Sequence, residues 1–140
     1  MFLNILVGVD ESESSQRALA YAVELAATGN ARLTLITVAP PVWSYVTLAG
    51  ISSDLLSAEV DRWAHKVLNA AVETVPSDII PHTIAAHGDP GPKIVEELGR
   101  GGYDLVVLGS RGRGRAQEGL LGSVNGYVHF HAEVPLLSVP

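Results

Sequence analysis

Glycine and serine residues in the last third of the chain have a spacing that suits phosphate binding. Gly109-Ser110-Arg111-Gly112 is followed, after nine further residues, by Gly122-Ser123. Glycine lets a backbone approach an anion and adopt positive φ, and the unpaired N–H groups at the start of a helix favour negative charge. The spacing therefore predicts that backbone groups of this segment hold a phosphate chain.

The segments on either side predict a strand before this loop and a helix after it. Leu105 to Leu108 is a wholly apolar run, as expected of a buried strand. Ser123 is a suitable N-cap for a helix containing Val124, Tyr127 and Val128. The glycines would then occupy a strand-to-helix crossing, although Ser123 could cap its helix whether or not phosphate binds.

Length and composition predict one domain over residues 1–140. The chain has 140 residues, of which 47% are hydrophobic, and this is enough to fill a single core. It has no cysteine, which excludes disulfides and thiolate chemistry and fits a cytoplasmic location. The apolar N-terminus lacks a basic region and is interrupted by Gly8 and Asp10, so it predicts a first strand rather than a leader or a membrane span.

The charge distribution argues against nucleic-acid and membrane partners. The formal net charge is −6, so the chain as a whole would repel a phosphate backbone or an anionic membrane. Between Gly109 and Ser123, however, Arg111, Arg113, Arg115 and Glu118 give a local net charge of +2. This favours a small anion site, with solvated loop arginines as the alternative interpretation.

Short apolar runs alternate with segments of helical period along the whole chain. This alternation is typical of an α/β fold in which helices cover both faces of a parallel sheet. Helices are expected from Ser12 to Ala27, from Leu56 to Ala71, and from Pro90, capped by Asp89, to Gly101-Gly102. The long connection from Pro40 to Ser53 follows the second strand. Strands are expected at about 3–9, 32–39, 79–86, 104–109 and 135–139.

With these motifs the chain resembles the universal stress protein family over nearly its whole length, from Val7-Gly8-Val9-Asp10 to Val134–Val139. The glycine series Gly109, Gly112, Gly122 and Ser123 matches that of the nucleotide-binding members. The resemblance implies an open five-stranded parallel sheet of order 3-2-1-4-5, with ATP bound along the carboxyl ends of its strands. Such a site agrees with the rule that ligands of open α/β sheets bind at this edge.

The resemblance also implies roles for residues at the ends of the first two strands. Asp10, flanked by Gly8 and Val9, would accept hydrogen bonds from ribose hydroxyls. The backbone of Val38 would meet the edge of the adenine. From the residues alone, Asp10 could instead be the N-cap of the first helix.

For the phosphates, the resemblance points to the glycine series and the start of the last helix. Gly109 and Gly112 would let the chain pass close to the ribose and phosphates, with Arg111 at the rim. Gly8 and Gly109 could instead be required for close helix–strand packing. Asn125 stands where many relatives have Ser or Thr, and its amide could still donate. Donors to the phosphates would come from Gly122, Ser123, Val124 and Asn125.

Other chemistries have little support in the sequence. The P-loop fails because Arg115-Ala116 stands where Lys-Ser/Thr is required, and neither a dinucleotide fingerprint nor a hydrolase elbow occurs. His129 and His131 would diverge on a helix, so no metal site is predicted, and Trp43 and Tyr45 are interpreted as loop anchors. No pair of acidic and basic side chains can be distinguished from helix caps and solvated surface charges, so no catalytic residue is assigned.

The sequence thus predicts an ATP-binding sensor or switch in the stress response. Mg²⁺ could accompany the ATP, and other adenine nucleotides remain open as ligands. One alternative is a slow ATPase or phosphotransferase, and another is a ligand-free dimeric interaction module. The last strand is expected at a sheet edge, and the resemblance implies a homodimer through Val134–Val139. An unidentified protein partner would respond to the bound state.

Overall fold

Strands and helices alternate through the described parts of the chain, as the sequence predicts. The computed structural model describes residues 1–39, 53–111 and 122–140. The predicted loop from Pro40 to Ser53, with Trp43 and Tyr45, therefore lies outside the described residues except at its end. The elements are β1 (Asn4–Gly8), α1 (Glu13–Gly29), β2 (Arg32–Ala39), α2 (Ser53–Glu73), β3 (His82–His87), α3 (Pro90–Gly101), β4 (Leu105–Gly109), α4 (Ser123–His131) and β5 (Leu136–Val139).

The five strands form one parallel sheet of order β3-β2-β1-β4-β5, which confirms the predicted architecture. The central strand β1 pairs on both sides, with Ile5 opposite Leu33 of β2 and Leu105 of β4. The strand order places β5 at an edge, as expected. All strands run in the same direction, so the carboxyl ends of β1, β2 and β4 lie together at one end of the sheet.

Both faces of the sheet are covered by apolar side chains. Because side chains alternate along a strand, neighbouring residues such as Leu6 and Val7 belong to opposite faces. One cluster packs with α1 and α2 and includes Ile5, Val7, Leu33, Leu35, Leu105, Val107, Ala18, Ala22 and Val67. The other packs with α3 and α4 and includes Leu6, Ile36, Val38, Val106, Leu108, Ile94, Leu98 and Val128.

The third strand begins later than predicted. Ile79 and Ile80 were expected to open it, but β3 starts at His82. The N–H of Ile79 donates to the carbonyl of Pro76 in a turn, and Ile80 is 91% exposed. Both isoleucines therefore lie in the connection before β3. Their apolar character suggested a strand, but the backbone N–H of Ile79 is already paired in the turn.

The predicted ends of α1 and α3 agree closely with the structure, apart from the capping role of Asp89. Ser12 is the N-cap of α1, and its hydroxyl accepts from Ser15 N. Pro90 opens α3 as predicted, and Gly102 ends it with φ of 69°, in the left-handed region that glycine favours. Asp89 occupies the N-cap position of α3, but its side chain makes no capping hydrogen bond, so that part of the prediction is wrong. Within the described residues, none of the helices combines the length and apolar character that crossing a membrane requires.

Candidate functional site

A cavity of about 240 Å³ lies at the carboxyl end of the sheet. It is bounded by the ends of β1, β2 and β4 and by the first turn of α4. Trp63, Pro90 and Ile94 contribute to its wall. Gly112 lies outside the described residues. The lining contains all the other residues that the sequence proposed for nucleotide binding: Gly8, Val9, Asp10, Val38, Gly109, Arg111, Gly122, Ser123, Val124 and Asn125.

Asp10 organises the turn between β1 and α1. One carboxylate oxygen accepts from Ser12 N at 2.8 Å and from Ser12 Oγ at 2.5 Å, and the Asp10 N–H donates to Ser15 Oγ at 2.9 Å. Because Ser12 is the N-cap, the interpretation of Asp10 as the cap is wrong. Asp10 instead fixes the capping residue and places a carboxylate in the lining of the cavity.

Gly109 lies where β4 meets the first turn of α1. A Cβ at this position would be 2.8 Å from the carbonyl carbon of Ser14 and from the N of Ser15, and backbone atoms cannot easily move aside. The Ser14 hydroxyl also donates to the carbonyl of Arg111 at 2.6 Å. Close packing of helix and strand therefore requires glycine here, in agreement with the alternative interpretation of Gly109 as a packing residue.

Gly8 is less constrained by its neighbours than Gly109. None of the described glycines of the motif has a positive φ. A Cβ on Gly8 would approach Leu108 Cδ2 at 2.5 Å, but this atom is the end of a flexible side chain. Among the described glycines only Gly88 and Gly102 have positive φ, and Gly122 has φ of −64°. None of the described glycines of the motif therefore uses the positive φ that glycine allows.

The start of α4 differs from the prediction in its cap and in its first donor. Gly122 is the N-cap and Ser123 is the first helical residue, so Ser123 is not the cap. The Gly122 N–H donates to the carbonyl of Ser110 at 2.6 Å and closes the connection from β4. It is therefore already paired and is not a free donor for phosphate. The N–H groups of the first helical turn, Ser123 to Asn125, have no partner within the helix.

The Asn125 amide is also already engaged. Its Nδ2 donates to the carbonyl of Gly109 at 3.0 Å and to Ser138 Oγ at 2.9 Å, which ties α4 to both β4 and β5. A flipped amide would place Oδ1 against the Gly109 carbonyl, so the network fixes the orientation. The expectation that this side chain donates to a phosphate is therefore wrong. Its Oδ1 is a buried acceptor without a hydrogen-bond partner among the described residues.

Sequence reasoning missed several residues of the cavity wall, among them Trp63 and Thr37. Trp63 was assigned to the apolar stripe of its helix, yet it also lines the cavity, and its Nε1 donates to Glu11 Oε1 at 2.6 Å. Thr37 lies in the largely apolar strand β2 and is 1% exposed, and its hydroxyl has no partner among the described residues. A hydroxyl residue next to Val38 within an apolar run was the signal available in the sequence.

The two sides of the cavity differ in electrostatic character. On the β4 side lie the exposed Arg111 and the amino terminus of α4, whose dipole favours an anion. On the side of β1 and β2 lie the Asp10 carboxylate and apolar groups such as Val9 and Trp63. This arrangement suits a ligand with a phosphate at one end and hydroxyl and uncharged groups at the other.

The described residues contain no cluster of three or more histidine, aspartate or glutamate side chains able to hold a metal ion. His129 and His131 lie on α4. The Nδ1 of His131 is 2.9 Å from the carbonyl oxygen of Tyr127, one turn earlier in the same helix. His65, His82 and His87 are exposed, and His87 Nε2 lies 2.8 Å from Asp61 Oδ1.

Comparison with known proteins agrees with this fold. The model of the universal stress protein family matches residues 1–140. Universal stress protein YxiE of Bacillus subtilis is 33% identical over 99% of both chains. The structure of universal stress protein UspA from Lactobacillus plantarum has a TM-score of 0.80 at 26% identity and covers 99% of this chain and 97% of its own. A universal stress protein solved in complex with cAMP has a TM-score of 0.64 at 27% identity, with coverage of 99% and 97%. The chain therefore belongs to the universal stress protein family of stress-response proteins.

Proposed function

We propose that the cavity at the carboxyl end of the sheet binds an adenine nucleotide, with ATP as the principal candidate, and that occupancy switches the protein in the stress response. The main support is that every described residue proposed for nucleotide binding from the sequence lines this one cavity. A structural relative solved with cAMP adds support for an adenine ligand. ADP, AMP and cAMP are the competing ligands.

The nucleotide would lie across the strand ends from β2 to β4. Its base would meet the backbone at Val38, its ribose hydroxyls would donate to Asp10, and its phosphates would accept from the first turn of α4. Mg²⁺ could accompany the phosphates, because phosphate oxygens and amide oxygens such as that of Asn125 are oxygen ligands that this ion accepts. Arg111 would add a positive charge at the phosphate end.

The switch would work by linkage rather than turnover. A nucleotide that binds one conformation more tightly than another shifts the population by the difference in affinity. None of the described groups of the cavity is placed as an acid–base pair for activating water, so slow hydrolysis is the lesser candidate. A cytoplasmic location stays a prediction, based on the absence of cysteine.

A homodimer through Val134–Val139 is the proposed assembly. The carbonyls of Pro135 and Val139 accept from β4, so the alternate residues Leu136 and Ser138 direct their N–H groups to the open edge. Leu136→Pro removes one such outward donor and leaves the pairing with β4 in place. We expect this variant to be a monomer by light scattering if the strand forms the dimer, and an unchanged mass would contradict this assembly.

Ser123→Pro tests the phosphate end without disturbing the helix. Proline is favoured at the first helical position, and Gly122 before it has the extended backbone, with ψ of 159°, that a following proline requires. The variant lacks only the Ser123 N–H and hydroxyl. Ser123→Ala is the matched control, because it keeps the N–H.

The measurement is calorimetric titration with ATP, ADP, AMP and cAMP, with and without Mg²⁺, after bound nucleotide has been released and identified by mass spectrometry. Loss of a charge-assisted hydrogen bond should weaken binding of the phosphorylated ligand by roughly 10- to 100-fold in Ser123→Pro. Ser123→Ala should bind nearly as the unaltered protein. Equal affinity of the two variants would contradict the phosphate position, and no binding of any adenine nucleotide would leave the ligand-free interaction module.

A further inference from the structure

The hydroxyl of Thr37 is a buried polar group that has no hydrogen-bond partner among the described residues. Thr37 lies near the carboxyl end of β2 and lines the cavity. Its side chain is 1% exposed, and Oγ1 has no hydrogen-bond partner among the described residues. A buried hydroxyl without a partner is unfavourable, whereas valine would fill the same space without a polar atom.

A second threonine on the same strand shows that this lack of a partner is local. Thr34 lies three residues earlier and is 5% exposed. Its hydroxyl forms a hydrogen bond with the hydroxyl of Tyr103. Of these two buried threonines on one strand, the one at the cavity lacks a partner among the described residues.

The position of Thr37 in the sheet indicates which part of a ligand it would meet. The positive groups of the cavity, Arg111 and the amino terminus of α4, follow β4, whereas Thr37 belongs to β2. Since β1 lies between these strands and neighbouring strands are about 4.8 Å apart, roughly 10 Å separates Thr37 from β4. A phosphate near α4 would therefore leave the opposite end of the nucleotide, its base, close to Thr37.

The surroundings of Thr37 also suit a base. Val9 and the half-buried ring of Trp63 line the same cavity, and both pack with the cluster on the α1 and α2 face. Side-chain alternation along β2 assigns Thr37 to this face together with Leu35. The hydrogen bond from Trp63 Nε1 to Glu11 holds the indole in place. An aromatic wall beside a neutral hydroxyl matches a flat, uncharged group with a polar edge.

We infer that Thr37 reads the edge of the base, with its hydroxyl donating to a ring nitrogen or accepting from the exocyclic amine of adenine. This inference rests on the proposed function and names a residue that sets its base specificity. It differs from the contact at Val38, which uses backbone groups, because it depends on one side-chain oxygen.

The test uses Thr37→Val, which removes the hydroxyl and keeps the shape. Thr37→Ser is the rescue variant, and Thr34→Val is the matched control on the same strand. Thermal unfolding of each protein without nucleotide is measured beside calorimetric titration with AMP and with ribose 5-phosphate, which lacks the base.

For Thr37→Val we expect unfolding at the same or a higher temperature and affinity for AMP reduced by roughly 3- to 10-fold, the effect of one neutral hydrogen bond. Affinity for ribose 5-phosphate should not change, and Thr37→Ser should recover most of the affinity for AMP. Thr34→Val should show the reverse, with lower stability and unchanged affinity.

The outcomes separate this inference from the proposed function. If the unaltered protein binds AMP and Thr37→Val binds it equally well, the role of Thr37 is wrong while nucleotide binding stands. An equal loss of affinity for AMP and for ribose 5-phosphate would also overturn it, since the effect would then not involve the base. If the unaltered protein binds none of the adenine nucleotides, both proposals fail.

Discussion

The two ends of the sheet differ in how completely their polar groups are hydrogen-bonded. At the amino end, where the strands begin, Asp104 accepts from Leu3 N at 2.8 Å and from Asn4 N at 3.0 Å. The Asn4 side chain donates to the carbonyls of Gly101 and Gly102, both at 3.1 Å. These bonds tie β1 to the segment that ends α3 and leads into β4.

A buried acidic group at the amino end is paired as well. Glu97 is 7% exposed and accepts from the Tyr103 hydroxyl at 2.8 Å and from Arg100 Nη2 at 2.6 Å. Burial raises the pKa of Tyr103 above its usual value, so the hydroxyl stays protonated as a donor. The carboxylate therefore has both a buried partner and a charged one.

The carboxyl end instead leaves Thr37 Oγ1 and Asn125 Oδ1 unpaired, and these are the buried side-chain atoms without a partner in the described part of the chain. A concavity of about 670 Å³ at the amino end is larger than the proposed site, but neither of these residues lines it. The amino end thus pairs its buried polar groups, whereas the carboxyl end leaves two of them without a partner beside the proposed site.

The largest expected effect comes from Gly109, where the carboxyl end is packed most tightly. Gly109→Ala puts a Cβ against the backbone of Ser14 and Ser15, and we expect it to lower the free energy of unfolding by about 3 kcal/mol. Gly99→Ala is the control, since Gly99 lies in α3 with no atom near its Cβ position and should gain up to about 1 kcal/mol. Urea unfolding measures both. A mild effect at Gly109 would mean that α1 can move away from β4.

Glu97→Ala tests the paired groups of the amino end. Removing the carboxylate leaves the Tyr103 hydroxyl without its acceptor, and we expect a loss of about 2 kcal/mol in the free energy of unfolding. Tyr103→Phe completes a double-mutant cycle. Strictly additive effects would show that the two side chains do not stabilise each other, and the contrast between the two ends would weaken.

Asn125→Ala should cost less, about 1 to 2 kcal/mol, because Gly109 O and Ser138 Oγ lose their donor. Asn69→Ala, at an exposed position of α2, is the matched control and should change stability by less than about 0.5 kcal/mol. Chemical unfolding measures both. Equal behaviour of the two variants would mean that the bridge from α4 to β5 adds nothing to the carboxyl end.

The smallest effect is a pH dependence at the amino end. The backbone N–H of Leu3, with that of Asn4, lowers the pKa of Asp104 below its usual value. Because the folded pKa lies below the unfolded one, Asp104 contributes stability above about pH 4 and loses it as the pH falls through the folded value. Because these hydrogen bonds are close to solvent, Asp104→Asn should be less stable at pH 7 by less than about 1 kcal/mol.

Unfolding of both proteins from pH 7 to pH 2 checks this sign. The difference in stability between Asp104→Asn and the unaltered protein should shrink as the pH drops below about 4. A difference that stays constant over this range would show that ionisation of Asp104 does not matter and that only its shape does.

The sequence predicted the sheet well because most of its strands are separate apolar runs. It failed where the outcome depends on a turn or on contacts that apolar character does not reveal. Ile79 and Ile80 were predicted to be part of a strand because they are apolar, and their side chains give no sign of the turn that begins at Pro76. Asn125 looked like a phosphate donor because its pairing with Ser138 exists only once α4 and β5 are adjacent.

Local sequence patterns predicted part of the candidate site, but they did not predict Trp63 and Thr37. Asp10 and Val38 were assigned through the resemblance to the family, and they lie at one cavity because parallel topology brings the ends of their strands together. Trp63 belongs to a helix whose apolar stripe also packs in the core, so its place at the cavity depends on where α2 lies over the sheet. Thr37 becomes notable only when its neighbours are known to offer no partner.

Mapping the amide chemical shifts of the isotope-labelled protein during titration with AMP tests the central claim most directly. The account predicts that the shift changes concentrate at the carboxyl end, at Val9, Asp10, Val38 and Ser123, while Leu3, Asn4 and Asp104 stay unchanged. Changes concentrated at the amino end, or no changes at saturating AMP and ATP, would contradict the account.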